Sequence, residues 1–299
     1  MVVYVALSMA RLSRDLLFGR SLSILASRSI SSFSKYTHAI IREISPTLPE
    51  EALRLNNEAI VNMQVAVEQH DRLVNCMEKM LGLKIIKLPH ENLADSVFVE
   101  DTCVIVGNKA LITNPGAISR RNETKLVHRK ILEMNYFKSI TNMSLDSTVA
   151  HLDGGDVLFT GSEFYVGINN GRSNVEGCNM LSKVFNEYPV TPIDLTKYLA
   201  NTLHLKSVSS MLGYNHILVG GEIGEELKNI IYKISGNKYL ITSVPDTAAA
   251  NVLLINNRLI TRSSKEFPVS IYSLKKTYSN LIEMDAGELA KVDGTHSLH

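Results

Sequence analysis

The sequence predicts an α/β fold assembled from a repeated unit: two strands in a hairpin, a helix, and a short strand. Three observations predict it. Apolar, β-rich runs come in pairs around turns built on glycine or asparagine. Each pair is followed by a stretch of helical spacing. The turns recur at intervals of roughly 43 to 53 residues, the range of internal structural repeats. Such units cannot bury their apolar faces singly, so they are expected to stack or to close into a ring.

Along the chain, "YTHAIIREI" reads as one strand of a first hairpin. A long helix follows, from Glu50 to Gly82, on the spacing of Leu53, Ile60, Met63, Val67, Val74 and Met77, with "LKIIKLP" as its strand. The second unit is "SVFVEDTCVIVGNKALITN", turning at Gly107-Asn108-Lys109, with a helix over 119–134. The third is "DVLFTGSEFYVGI", turning at Gly161-Ser162, with a helix over 174–186. The fourth is "SVSSMLGYNHILVGG", turning near Gly213, with a helix over 225–234 and the strand "KYLITSVP". The fifth is "ANVLLINNRLITR", turning at Asn256-Asn257, with a helix over 269–282. The first hairpin lacks a partner strand, which is expected from the C-terminal side of Asp293, where the sequence offers none.

Residues 1–35 are set apart. They carry Arg11, Arg14, Arg20, Arg28 and Lys35 against the single acid Asp15 and are rich in serine, the composition of a mitochondrial transit peptide or of a disordered extension. Residues 36–299 are expected to form one domain, in the cytoplasm or, with import, in mitochondria. The net charge of +1 gives no broad basic face for nucleic acid. No apolar run approaches the roughly 20 residues of a membrane span. The three cysteines, Cys76, Cys103 and Cys178, are too few and too scattered for a disulfide framework or a metal knuckle. His296 and His299 in the tail are weak evidence for a metal site.

Several polar residues sit where an apolar element would not carry them. Asp95, Glu100 and Asp101 lie within or against the apolar run "LADSVFVEDTCVIV". Buried carboxylates need a cationic partner, from the protein or from a ligand. For Glu100 and Asp101 to meet one ligand, the strand must end or bulge there. In "HLDGGDVLF", two glycines follow Asp153, which suits a turn or the close approach of another group. His204 lies between Leu203 and Leu205 and would face away from both in a strand. Arg120 and Arg121 stand at a helix start, where the dipole disfavours cations, so an acid partner or anionic ligand is expected beside them. Arg172 in "NNGRSN" is loop-borne and could clamp a carboxylate.

Read together, "DSVFVED", "ITNPGAISRR", "LDGGDVLFTGSEFYVG", "LHLKSVSSM", "VPDTAAANVLLIN" and "LAKVDG" resemble the dimethylarginine dimethylaminohydrolases in order and spacing, from Thr37 to Gly294. The resemblance implies a five-bladed α/β-propeller of the pentein type, and hydrolysis of Nω-methylated arginine to citrulline and a methylamine without a cofactor or metal. It implies a small-molecule substrate and a monomer or homodimer. It also implies residue roles: Asp95, Glu100 and Asp101 as substrate-binding acids, Arg120 and Arg172 on the α-carboxylate, and Leu53 in a closing loop. His204 would be the general acid/base and Asp153 the acid that orients it, with Val292 and Asp293 on the substrate amine. The family's thiolate nucleophile would follow "KVDG", where this sequence continues "THSLH". Cys103 is expected to be an inert core cysteine, so the expectation is an impaired enzyme whose closing strand is also missing. The alternatives are a non-catalytic methylarginine binder, or a guanidine-modifying enzyme of the arginine deiminase or amidinotransferase type.

Overall fold

Five three-stranded sheets follow one another along the chain in the computed structural model. It describes residues 5–7, 33, 35–53, 60–169, 171–196 and 204–292. In each sheet the middle strand pairs antiparallel with the first strand and parallel with the third. The strands are β1 (Val5–Leu7), β2 (His38–Arg42) and β3 (Lys84–Leu88); β4 (Cys103–Val106), β5 (Lys109–Ile112) and β6 (Ser139–Asn142); β7 (Val157–Phe159), β8 (Phe164–Ile168) and β9 (Val190–Asp194); β10 (Ser209–Gly213), β11 (His216–Gly220) and β12 (Leu240–Val244); β13 (Leu253–Ile255), β14 (Arg258–Arg262) and β15 (Leu281–Met284). One main helix per unit carries the chain from second to third strand: α1 (Met63–Asn75), α2 (Glu123–Glu133), α3 (Val175–Val184), α4 (Gly221–Ser235) and α5 (Pro268–Thr277).

The middle strands read as continuous apolar runs because both of their faces are buried. Period-2 alternation then divides each run between two cores. Ala110 and Ile112 of β5 enter a cluster with Ile40 of β2 and Ile131 of α2, while Leu111 enters the next, with Phe164 and Leu181. Tyr165 and Leu158 pack with Ile217 and Ile231, and Leu218 with Leu259 and Leu274. Ile260 of β14 packs with Ala39 and Ile41 of β2 and Leu73 of α1, so the fifth sheet shares a core with the first.

Turn chemistry sets the hairpins. Gly107, Gly161 and the pair Asn256-Asn257 hold positive φ, which glycine and asparagine tolerate best. In the fourth unit the tight turn is Tyr214-Asn215, Asn215 taking the positive φ, and the register shifts between Met211 and Gly213.

Four expectations are corrected. The first long helix is broken: a short helix spans Leu48–Glu51, Ala52 turns extended, and α1 begins only where the Asn62 side chain accepts from Val65 N. The expected helix over 269–282 ends at Thr277, and Leu281–Met284 is a strand parallel to β14. The run around Glu100 and Asp101 is not strand but a 3-10 turn, Val99–Thr102, that ends where β4 begins. The partner of the first hairpin strand comes from the N-terminal stretch set aside above: Val5–Leu7 pairs antiparallel with residues 38–40. The remaining residues of that stretch, Phe33 and Lys35 apart, lie outside the described residues.

Ile131 is wholly buried where α2 meets β2 and β5. Ile131→Ala should lower stability by about 2–5 kcal/mol through lost burial and the cavity left behind. Guanidinium unfolding would read this as a lower midpoint at unchanged slope, and an unchanged midpoint would place α2 outside the core.

Candidate active site

Units two to four each enter their first strand through a 3-10 turn: Val99–Thr102, Gly154–Asp156 and Leu205–Ser207. These three turns meet, and they bring Asp101, Asp156 and His204 together. Asp101 is the hub. Its Oδ2 accepts from Arg120 Nη1 at 2.6 Å and its Oδ1 from Gly155 N at 2.7 Å. His204 Nε2 lies 3.9 Å from Asp101 Oδ2, and His204 Nδ1 lies 3.4 Å from Asp156 Oδ1. Asp156 is itself held, accepting from Leu205 N at 3.1 Å and from Ser173 Oγ at 2.7 Å.

Two glycines make this approach possible. A Cβ on Gly155 would stand 2.6 Å from Asp101 Oδ1 and 3.0 Å from the His204 ring, and one on Gly154 would stand 2.0 Å from the Glu100 carbonyl oxygen. "DGGD" is therefore both a turn and a site of close approach.

The acid at the histidine's Nδ1 is Asp156, where the sequence reading placed Asp153. Asp153 is fully buried and turned to other partners: Gly116 N at 3.0 Å and Arg172 Nη1 at 3.3 Å. The 3-10 turn between the two acids, not a strand, decides which of them faces His204.

Arg120 is buried and donates from all three nitrogens, to Asp101, to Glu123 and to the carbonyls of Asp95 and Phe98. Its partners are acids of the protein, so in this state it is a counter-ion rather than an open clamp. Arg121 donates to the Pro115 and Gly116 carbonyls. Arg172 is the more accessible arginine. Asp95 is buried and accepts from Leu53 N at 3.1 and 3.2 Å, which ties the segment at Leu53 to the site.

Glu100 departs from its expected place. It pairs with Lys206, while its neighbour Asp101 meets Arg120 and His204, because consecutive residues of the turn project differently. Val292 is buried in the core shared by the fifth and first sheets, and Asp293 lies outside the described residues. The sequence reading missed Asp156, Glu123 and Lys206. A second acid in "DGGD" and a cation two residues after the histidine were the available signals.

The electrostatics lean negative. Asp95, Asp101, Glu123, Asp153 and Asp156 are buried here, against the buried cations Arg120 and His204 and the part-exposed Arg172. Burial disfavours the His204 imidazolium, but Asp101 and Asp156 outweigh it and hold the group up to about 9. Asp101 goes the other way. Burial opposes its charge, yet His204, Arg120 and the Gly155 N–H depress its pKa well below the usual range. Burial pushes Asp95 and Asp153 up, and pushes Glu123 up to about 7 despite Arg120.

The three cysteines are of another kind. Cys76, Cys103 and Cys178 are buried in three separate apolar clusters. Burial pushes each thiol upward, away from the thiolate. Among the described residues no cluster of His, Cys, Asp and Glu could hold a metal ion, and no helix is long and apolar enough to cross a membrane.

His204 titrates above its unfolded value of 6.5. Its contribution to stability is complete below that pH and is lost as pH rises through about 9. Asp156→Asn should lower the midpoint by about one unit or more, since a carboxylate at hydrogen-bond range is removed. NMR titration of the imidazole reads this, and an unmoved midpoint would assign the shift to Asp101 and Asp153.

With this geometry established, comparison with known proteins is specific. The family profile for "N,N dimethylarginine dimethylhydrolase, eukaryotic" matches residues 49–294. The N(G),N(G)-dimethylarginine dimethylaminohydrolase of Pseudomonas aeruginosa is 28% identical over 231 residues, 77% of this chain and 85% of that one. The enzyme of that name from Streptomyces coelicolor is 30% identical over 258 residues, 86% of this chain and 93% of that one. A solved structure of a mutant Pseudomonas aeruginosa enzyme complexed with citrulline superposes with a TM-score of 0.75 at 26% identity, covering 86% of this chain and 95% of that one.

Proposed function

The chain belongs to the eukaryotic dimethylarginine dimethylaminohydrolase family, and from that membership we propose that it takes Nω-methylated arginine at the cluster around Asp101 and His204 and hydrolyses it to citrulline and a methylamine. The observation that carries the reading is the shortage of positive charge in that cluster. Five buried carboxylates stand against buried Arg120 and His204 and the partly buried Arg172, while the buried Arg42 beside Glu123 is paired to Glu91. Three of the acids, Asp95, Asp153 and Glu123, are pushed up towards their neutral forms. A guanidinium supplies the missing charge and can meet carboxylates through charge-assisted hydrogen bonds.

In this reading Asp101 and Asp95 receive the guanidinium, and Arg172 leaves Asp153 to take the α-carboxylate. A nucleophile must first add to the guanidinium carbon; the C–N bond then breaks as His204, which holds a proton through neutral pH, gives it to the departing amine, and His204 takes a proton back from the water that displaces the nucleophile. Asp156 keeps the imidazole oriented, as the third member of a catalytic triad does. The family's covalent step needs a thiolate, and the buried, apolar settings of Cys76, Cys103 and Cys178 do not favour one. The five sheets, with cores linking each to the next and the fifth to the first, support the five-bladed α/β-propeller that the resemblance implies.

Calorimetric titration with asymmetric dimethylarginine tests recognition, and citrulline release tests turnover. Binding without citrulline would keep the first and remove the second; no binding would remove both. Arg172→Ala should weaken binding by about 10- to 100-fold, the worth of a hydrogen bond to a charged group. Because a cation arrives among acids whose protonated forms burial favours, with Glu123 pushed up to about 7, binding near pH 6 should release up to about one proton. The enthalpy would then vary with the ionisation enthalpy of the buffer for dimethylarginine and not for neutral citrulline; equal behaviour of the two would sink the charge argument. Cys103→Ser should leave any citrulline release unchanged, and a loss of about a hundredfold or more would instead make Cys103 the nucleophile.

A further inference from the structure

A cavity of about 230 Å³ is lined by Glu100 and Lys206 but by none of Asp101, Arg120, Asp156 and His204. The first strands of four sheets, β4, β7, β10 and β13, contribute to its wall, which includes Val106, Phe159, Met211 and Leu254. Phe33 and Tyr36 also line it, Phe33 set edge-on to Tyr214. The charged groups lining it are Glu100 and Lys206, which form an ion pair with 24% and 20% of their side chains accessible. Glu100 makes itself felt in the cavity: burial, then the Glu100 charge, push the neighbouring Tyr36 phenol up to about 12. One turn thus separates two environments, with Asp101 facing the acid-rich cluster and Glu100 facing an apolar chamber.

The chemistry of this wall selects a ligand. The ion pair is neutral overall, so a charged head group entering the chamber would lose its hydration without gaining a net counter-charge. The pair nevertheless offers a donor, Lys206 Nζ, beside an acceptor, the Glu100 carboxylate. A neutral group with a carbonyl and an N–H side by side matches both at once. The remaining wall is mostly apolar side chain, interrupted by Tyr36, Ser210 and Asn251, and the volume suits on the order of ten non-hydrogen atoms. We propose that this cavity is a second ligand site, taking a small neutral carboxamide or ureide carried on an aryl or alkyl body. It is separate from the guanidinium cluster and does not depend on the function proposed for that cluster.

The probe is 3-phenylpropanamide, titrated into the full chain carrying ¹³C-methyl methionine. Met211 lines the cavity, whereas Met77 and Met143 are wholly buried in other cores. The expected result is a saturable shift of the Met211 methyl alone, at least tenfold weaker for 3-phenylpropanoate and for 3-phenylpropylamine. Leu254→Trp, which fills the chamber, should abolish the shift while the Met77 and Met143 signals stay in place as a check on folding. Val106→Phe serves if that variant does not fold. Lys206→Met should keep weak binding of the phenyl body and erase the preference for the amide. An unmoved Met211, equal affinity for all three head groups, or displacement of the amide by asymmetric dimethylarginine would each overturn the proposal.

Discussion

Asp101 is the group on which the rest of the site depends. It is nearly free of solvent and faces Arg120, His204 and the Gly155 N–H at once. Removing a carboxylate from water costs several kcal/mol, and only partners of this quality offset it. Those partners in turn fix three separate segments of chain. Arg120 draws in Glu123 at the start of α2, Gly155 draws in the turn before β7, and His204 draws in the turn before β10. The network therefore acts as a joint between units two, three and four, and its order follows from avoiding uncompensated buried charge.

The repeat explains why such a joint exists. Each middle strand is spent on two apolar cores, so its polar side chains, such as Arg42 of β2 and Thr261 and Arg262 of β14, sit at or near its ends. Polar groups are driven to the segments that precede the first strands, where the backbone runs in 3-10 turns and strand alternation no longer applies. These segments meet at one end of the first strands. Opposite them, beyond the Glu100–Lys206 pair, the same strands enclose the apolar chamber. One architectural rule yields a charged environment and a greasy one separated by a single turn.

That rule also sets what could be read from the sequence. The hairpins were legible because Gly107, Gly161 and Asn256-Asn257 declare their turns locally and the strands between them are apolar throughout. The third strands of several units were not, since β6, β9 and β15 are short, only partly buried at most positions, and stabilised by parallel pairing that no local pattern records. β1 was invisible because it is three residues long and pairs antiparallel with a strand distant in sequence. In the site, Asp95, Asp101, Asp153, Arg120, Arg172 and His204 stand out in the sequence as polar residues in unusual company, and all but the partly exposed Arg172 are buried. Their pairing was not legible. Asp156 rather than Asp153 faces His204, and Glu100 faces away from Asp101, because a 3-10 turn replaces the extended backbone on which face assignments rest.

The charge imbalance also bears on the order of events in the proposed reaction. Empty, the cluster holds His204 protonated through neutral pH because Asp101 and Asp156 face it. A guanidinium that pairs with Asp101 removes part of that support and adds a like charge nearby, and both effects lower the imidazole's affinity for its proton. Substrate binding thus moves a group that titrates near 9 towards the pH at which proton exchange is efficient. Departure of the amine and conversion of the guanidinium carbon to a neutral urea reverses the change. Asp101 then regains His204 as its counter-ion, and a product without charge has lost the feature that the cluster selects. Recognition, arming of the acid and release of product would then all follow from one shortage of positive charge.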